Sequence, residues 1–347
     1  LVNDLATYLG VKPEKIKVNV TFLGGAFGRK AVFDFVMQAA NLSRQTNAPV
    51  KVIWTREDDI QQGPYRPGMI SALQGGVDKD GNVLAFEHRL NGASIMASVF
   101  KADMRNNPDP WAGEGINLAD SPYAFPARRN SFSWVDPQMP VLWWRSVYAS
   151  TNVFAQESFM DELAHEGEKD PLALRLHLLR DSPRFVAVLN KLAEISDYQV
   201  KRKKGVAIGI AIARSFASIV AHAFEVQKDG TGVKIKQVYS VIDCGFPLNE
   251  DNIKAQVESN LVYGLSAAIK NQISRTHGKT DQSNFHDYAV LRQGEVPPCQ
   301  VFVMPSEEEP GGVGEPGLPP IAPALCNAIF LATGKRVRTL PFDLSSI

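Results

Sequence analysis

One stretch constrains this chain more than any other: Gly311-Gly312-Val313-Gly314-Glu315-Pro316-Gly317-Leu318-Pro319-Pro320. Glycines flanking Glu315 permit positive φ and close backbone approach, and Pro316 stiffens the far side. Ile321, Ala324, Leu325, Ala328, Ile329 and Leu331 follow, closed by Gly334. That spacing predicts a buried helix with a glycine stop. The stretch therefore delivers one carboxylate just ahead of a helix N-terminus. On these residues Glu315 is a general base aimed at a bound group, or the loop cradles a phosphate, or it is an ordinary glycine-rich connection with a solvated glutamate. Gly312, Gly314 and Gly317 satisfy G-x-G-x-x-G, but the dinucleotide fingerprint follows a strand directly and opens a helix. Here Ser306-Glu307-Glu308-Glu309-Pro310 separates it from strand-like residues 300–304, and Glu315 would repel a pyrophosphate.

The 347 residues suit two domains, and 44% hydrophobic content supports a buried core. Lys+Arg and Asp+Glu are both 37, which argues against a nucleic-acid binder. No apolar run approaches the roughly 18 residues of a membrane span. Cys244, Cys299 and Cys326 are far apart and form no C-x-x-C pair, so the chain supplies no iron–sulfur or zinc-ribbon site. The six histidines show no metal-ligand spacing and read as surface or satisfied core residues; no protein metal ligand is expected. The chain opens Leu1-Val2-Asn3-Asp4 directly into helix-like sequence, the expectation for a piece of a longer or processed polypeptide.

Along the chain, residues 1–10 predict a helix stopped by Gly10. Residues 17–22 and 49–56 predict strands. Between them lie the glycine-rich turn Gly24-Gly25-Ala26-Phe27-Gly28 and a helix carrying Phe33, Val36, Met37, Ala40 and Leu42. Strands around 69–77 and 82–91 are joined by the hairpin signal 78–82. Residues 101–140 show no period and read as a long functional loop. A helical region over 152–180 is interrupted near Gly167 and Pro171. Lys201-Arg202-Lys203-Lys204 reads as a solvated connector. Strands at 206–214, 219–227 and 233–243 lead to the turn 243–249 and a helix with Ile253, Val257, Leu261, Leu265 and Ala268 on one stripe. The predicted class is α+β: two mixed α/β subdomains, 1–200 and 201–347, without an alternating βαβ ladder.

Three glycine-bearing turns, 24–28, 243–249 and 311–317, each sit between strand-like and helix-like sequence, suiting oxygen anions or phosphate. Arg145, beside Trp143 and Trp144, is either a buried guanidinium facing an anion or a cation packed on tryptophan. Together these residues resemble the molybdopterin-binding subunit of the xanthine oxidase family. The likeness is to the branch of isoquinoline 1-oxidoreductase beta subunits and bacterial membrane-associated aldehyde dehydrogenases. Four segments carry it: Gly24–Lys30, Trp144–Val147, Asp243–Asn249 with Gln256 and Glu258, and Gly312–Pro316. They occur in order over essentially the whole chain, with Ser158–Ala164 between the second and third.

The resemblance implies subdomains of the molybdenum cofactor-binding type and a molybdopterin-dependent oxidoreductase. It would oxidise a nitrogen heterocycle or an aldehyde with water as oxygen source. Glu315 resembles the base that activates Mo–OH, and Arg145 the residue steadying substrate or its developing charge. Gly25, Ala26, Phe27, Gly28, Gln256, Val313 and Gly314 fall at cofactor-binding positions. Implied with them are the cytosine dinucleotide form of molybdopterin, iron–sulfur clusters on a partner subunit, the remaining N-terminal portion, a cytochrome c as a further candidate partner, and a periplasmic or membrane-associated location. Two departures stand out. The arginine segment continues Ser146-Val147-Tyr148-Ala149-Ser150 where the family has glycines and a proline. The family's phosphate-gripping G-Q-G segment is missing, so this chain alone should bind the cofactor poorly or not at all. The rival readings are a nucleotide-dependent oxidoreductase using Gly312–Gly317 and a cofactor-less assembly scaffold.

Overall fold

The computed structural model describes residues 1–105, 107 and 109–347. α1 (Val2–Leu9) ends at Gly10 in the left-handed region, as the glycine stop predicts. The two expected strands at 17–22 and 49–56 do not form: both run outside any ladder among the described residues. A period-2 pattern becomes a strand only where a partner chain supplies the hydrogen bonds. Here Val20 is 91% exposed, Phe22 fully so, and Ile53 72% exposed. α2 (Asp34–Thr46) forms with none of its residues fully buried, and α3 (Arg56–Gln62) starts on a Thr55–Asp58 capping box.

β1 (Met69–Val77) and β2 (Val83–Gly92) pair antiparallel around the expected turn, with Leu73 opposite His88. After α4 (Ile95–Phe100), β3 (Ala127–Trp134) joins β2 in parallel. The 101–140 stretch is thus not all loop. Its strand Ala-Arg-Arg-Asn-Ser-Phe-Ser-Trp carries too few apolar residues to alternate visibly.

α5 (Ala149–Glu166) then lies between the two halves of the molecule. Its Phe159 and Leu163 pack where a Cβ on Gly75 of β1 would stand, so that glycine sets the approach. The predicted interruption at Pro171 is the first residue of α6 (Pro171–Leu178), capped by Asp170. α7 (Pro183–Ile195) likewise opens on a proline. α8 (Tyr198–Lys203) absorbs most of the basic run. Lys201 is no solvated connector residue: its Nζ donates to Glu225 Oε2 at 2.8 Å and to the Tyr239 hydroxyl at 2.6 Å.

The second sheet has the order β4 (Ala207–Ser215), β5 (Ser218–Asp229), β6 (Gly232–Asp243), β9 (Cys299–Val303). Its first three strands are antiparallel, and β9 joins β6 in parallel after α9 (Glu250–Ile269) and the small β7 (Arg275–Thr276)–β8 (Lys279–Thr280) hairpin. β6–α9–β9 is thus a single parallel crossover, as β2–α4–β3 is in the first sheet, and the two do not make an alternating βαβ ladder. α9 and α10 (Ile321–Thr333) cover one face, through Leu261, Leu265, Leu325 and Ile329. α7 covers the other through Val188, Leu189 and Leu192. A Cβ on Gly209 of β4 would overlap the backbone of Ala328, so α10 lies directly on that strand.

A buried polar hub ties α5 to its neighbours. Glu157 accepts from Tyr123 at 2.7 Å, Arg175 Nε at 2.9 Å and the Ile212 backbone N–H at 3.1 Å. Asp161 also meets Arg175, while Glu162 turns outward to Arg338. Adjacent helix positions face different ways, so these acids build structure rather than a catalytic pair.

Candidate active site

The fold brings the three glycine-bearing turns together with the Arg145 segment. In the first turn Phe27 and Gly28 both take positive φ (48° and 97°). A side chain at Gly28 would overlap the carbonyl of Trp143, so only glycine lets this loop lie against the Arg145 segment. Phe27 folds over Gly25 and stacks on Tyr263 of α9 at 4.7 Å. Ala26 closes the turn by accepting from the Arg29 N–H at 2.9 Å.

The second turn buttresses the third. Gly311 N–H donates to Cys244 O and Phe246 N–H to Glu308 O, both at 2.8 Å. The tight β4–β5 hairpin, with Phe216 and Ala217 both at positive φ, holds the loop from another side. Phe216 O accepts from Gly312 N–H at 2.8 Å, and Ser218 Oγ donates to Gly312 O at 2.6 Å. Beneath it, buried His222 reaches Gly317 O through Nε2 and Ser240 Oγ through Nδ1, each at 2.7 Å. Burial pushes its pKa down to about 4. The ring is therefore neutral near pH 7, and since a carbonyl only accepts, Nε2 carries the proton. Val313 packs on Val220, Ile242, Cys244, Ile253 and Val257.

Arg145, 3% exposed, joins three segments. Nε donates to Gly314 O at 2.7 Å, Nη1 to Ser259 Oγ at 2.8 Å and Nη2 to Gln256 Oε1 at 3.0 Å. Its guanidinium lies 5.0 Å from the Tyr263 ring centre and 5.5 Å from that of Phe27. It is buried, as one of the two readings had it, but its three hydrogen-bond partners are neutral oxygens and not an anion. Its next residue holds the acid: Ser146 N–H donates to Glu315 Oε2 at 2.9 Å, and Ser146 Oγ to Glu315 O at 2.6 Å. Ser146 and Val147 both have positive φ, which turns this N–H toward the carboxylate.

One oxygen of Glu315 is thus fixed, and Oε1 makes no hydrogen bond among the described residues. Burial raises the Glu315 pKa above the usual carboxylate range, against the lowering effects of the Ser146 N–H and Arg145. This is a half-dry carboxylate with one free face, suited to taking a proton.

Sequence reasoning missed Ser146, Ser259, Tyr263, His222 and the Phe216–Ser218 hairpin as parts of the site. Their contributions are a backbone N–H, two short hydroxyl contacts, a ring face and turn geometry, none of which leaves a spaced motif. No group of three or more His, Cys, Asp or Glu side chains that could hold a metal ion occurs among the described residues.

Residues 1–179 match one molybdopterin cofactor-binding domain and residues 190–297 a second. The chain belongs to the molybdopterin cofactor-binding domain family, of the xanthine oxidase type. It is 32% identical to the beta chain of isoquinoline 1-oxidoreductase from Brevundimonas diminuta, over 97% of its own length and 44% of that protein's. It is 30% identical to a nicotinate dehydrogenase subunit of Pseudomonas putida (99% and 31% covered). It is 29% identical to the membrane-bound aldehyde dehydrogenase of Gluconacetobacter polyoxogenes (98% and 48%). The chain therefore spans less than half the length of these relatives. In fold it is similar to quinoline 2-oxidoreductase from Pseudomonas putida 86, with a TM-score of 0.82 at 12% identity over 99% of this chain and 70% of that one.

The residues present fit the family's cofactor on one side. Gln256 is exposed, and its amide nitrogen makes no hydrogen bond among the described residues while Arg145 holds its oxygen in place. A side chain at Gly314 would meet only Gln256 Oε1, at 3.8 Å, so the backbone there is open to close approach. Phe27, 41% exposed, lies 5.5 Å from the Arg145 guanidinium that holds both residues.

Proposed function

We propose that this chain is the catalytic half of a molybdenum hydroxylase that oxidises a nitrogen heterocycle or an aldehyde with water as oxygen donor. The observation that carries this reading is the state of Glu315: one oxygen fixed by Ser146 N–H, the other free, and a pKa raised by burial. When bound, the cofactor supplies the two-electron acceptor. The chain's own residues hold and position. Gln256 would donate its amide to the pterin, Gly314 admits close backbone approach, and Phe27, whose ring lies over Gly25, closes one side. Arg145 locks Gly314 and Gln256 in register and retains one N–H on each of Nη1 and Nη2 for substrate or its developing charge. Glu315 Oε1 accepts the proton of the water-derived oxygen as that oxygen attacks an electrophilic carbon, a role that contributes about 10²–10⁴ in rate.

The names of the relatives, oxidoreductases and dehydrogenases of heterocycles and aldehydes, support the substrate class. Those designated subunits support a multi-subunit enzyme. We assign the cytosine dinucleotide form to the cofactor, iron–sulfur clusters to a partner subunit, a cytochrome c to the further electron path, and a periplasmic or membrane-associated setting to the assembly. A nucleotide cradle at Gly312–Gly317 has less support, because the N–H groups of Gly311 and Gly312 are already bonded to Cys244 and Phe216. Elemental analysis of the whole assembly, with acid release of the nucleotide, tests the reading. Molybdenum near one per complex with a cytosine nucleotide is expected. An intact assembly without molybdenum would redirect the assignment to a scaffold.

A further inference from the structure

A second guanidinium lies beside the site, and none of the described residues neutralises it. Arg66 sits between α3 and β1, in a segment tied to the run that leads to Arg145: Tyr65 N–H donates to Pro140 O at 3.0 Å and Leu142 N–H to Tyr65 O at 2.9 Å. The Arg66 guanidinium lies 4.4 Å from the Trp144 ring centre. Its Nη2 donates to Ser150 Oγ at 2.6 Å, and that hydroxyl in turn donates to Val147 O at 2.9 Å. Nε is buried with no partner among the described residues, and Nη1 makes no hydrogen bond to them either. The titratable group that faces Arg66 is the Tyr288 phenol. Burial raises the pKa of that phenol, so it is neutral near pH 7 and brings no counter-charge. Burial lowers the pKa of Arg66 itself to about 10, which leaves it a cation at neutral pH.

Other arginines in the interior are accounted for. Arg175 has Glu157 and Asp161, and Arg145 has Glu315 among its neighbours. Arg128 faces no acid, but its fork is filled by the carbonyls of Ser121 and Ile116. Arg66 has one neutral hydroxyl. A desolvated cation without a counter-charge is costly, and an anion placed against it removes that cost. We propose that Arg66 is a specificity residue of the candidate active site, receiving the carboxylate of an aromatic or heteroaromatic substrate whose ring lies against the Trp144–Tyr263 wall. These two rings are 6.5 Å apart, and Tyr263 stacks on Phe27 at 4.7 Å. Each carries one guanidinium. That of Arg145, 5.0 Å from the Tyr263 ring centre, is committed to Gly314, Ser259 and Gln256. That of Arg66, on Trp144, keeps its unused N–H groups. A guanidinium fork matches the two oxygens of a carboxylate, and the aromatic wall matches a flat ring. An anionic ring is thereby told apart from a neutral one of the same shape.

The proposal rests on the oxidoreductase reading for calling this ligand a substrate, and the test separates the two. Benzoate and benzamide share one shape and differ in charge. In calorimetric titrations of the assembled holoenzyme, benzoate should bind roughly 10- to 100-fold more tightly than benzamide. Arg66→Gln should abolish that preference, and Arg66→Lys, which keeps the charge but not the fork, should retain part of it. Equal binding of the two by wild type, or a preference that survives Arg66→Gln, would overturn the proposal. Inorganic phosphate is the control for a site that takes any anion: if it displaces benzoate at equal concentration, the aromatic carboxylate assignment fails. If Arg66→Gln lowers the melting temperature of the assembly while wild type binds no benzoate, the counter-charge of Arg66 is an acid elsewhere in the assembly, and the proposal fails again. Benzoate binding needs no turnover. An intact assembly that selects benzoate through Arg66 yet holds no molybdenum would therefore sink the oxidoreductase reading and leave the anion site standing.

Discussion

At the scale of single residues, the site depends on donors fixed by unusual backbone. Gly28 shows this most simply. Its positive φ and its contact with the Trp143 carbonyl leave no room for a Cβ. Gly28→Ala should separate the Phe27 loop from the Arg145 segment, at a backbone cost of about 1–3 kcal/mol before the clash is counted. Thermal unfolding and cofactor content together check this, and an unchanged pair of values would refute it. Gly28 and Glu315 were legible because glycine spacing and a lone acid among glycines are visible in sequence. Ser146 was not: its contribution is a backbone N–H, and its positive φ occurs where the family carries glycines, so the residue type gave no cue.

Elements were legible where both faces of the pattern are satisfied within this chain. β4, β5, β6, α9 and α10 all follow from periodicity, and the glycine stop of α10 is where its sequence puts it. The segments 17–22 and 49–56 alternate equally well, yet form no ladder here, because a strand is a property of two segments and sequence shows one. Two element-level tests follow from packing. Gly209→Ala should push α10 off β4 at a cost of about 1–3 kcal/mol or more, seen as a lower urea midpoint. Because α10 follows the Glu315 loop directly, turnover should fall with it. Glu157→Ala should cost about 3–5 kcal/mol, since it strands the fully buried Arg175 guanidinium and removes the acceptor of Ile212 N–H. A urea midpoint within error of wild type would show that the hub is not what joins α5, α6 and β4.

At the scale of the molecule, the site is built by both halves of the chain. Arg145 and Ser146 come from the first match to the family, Gln256 and Ser259 from the second, and Glu315 from beyond it. Neither half holds the acid without the other. The exposed Val20, Phe22 and Ile53 make a prediction about the chain expressed by itself. It should bind the dye ANS strongly, and Val20→Ser with Phe22→Ser should reduce that signal severalfold. Weak dye binding by the unmodified chain would mean these segments fold inward in solution. The most direct test of the whole account is Glu315→Gln in the assembled enzyme, with molybdenum content and turnover measured on one preparation. The amide oxygen can still accept from Ser146 N–H, so the loop and the metal content should be retained. With the base gone, turnover should fall by about 10²–10⁴. Turnover near the wild-type rate at full molybdenum content would contradict the account.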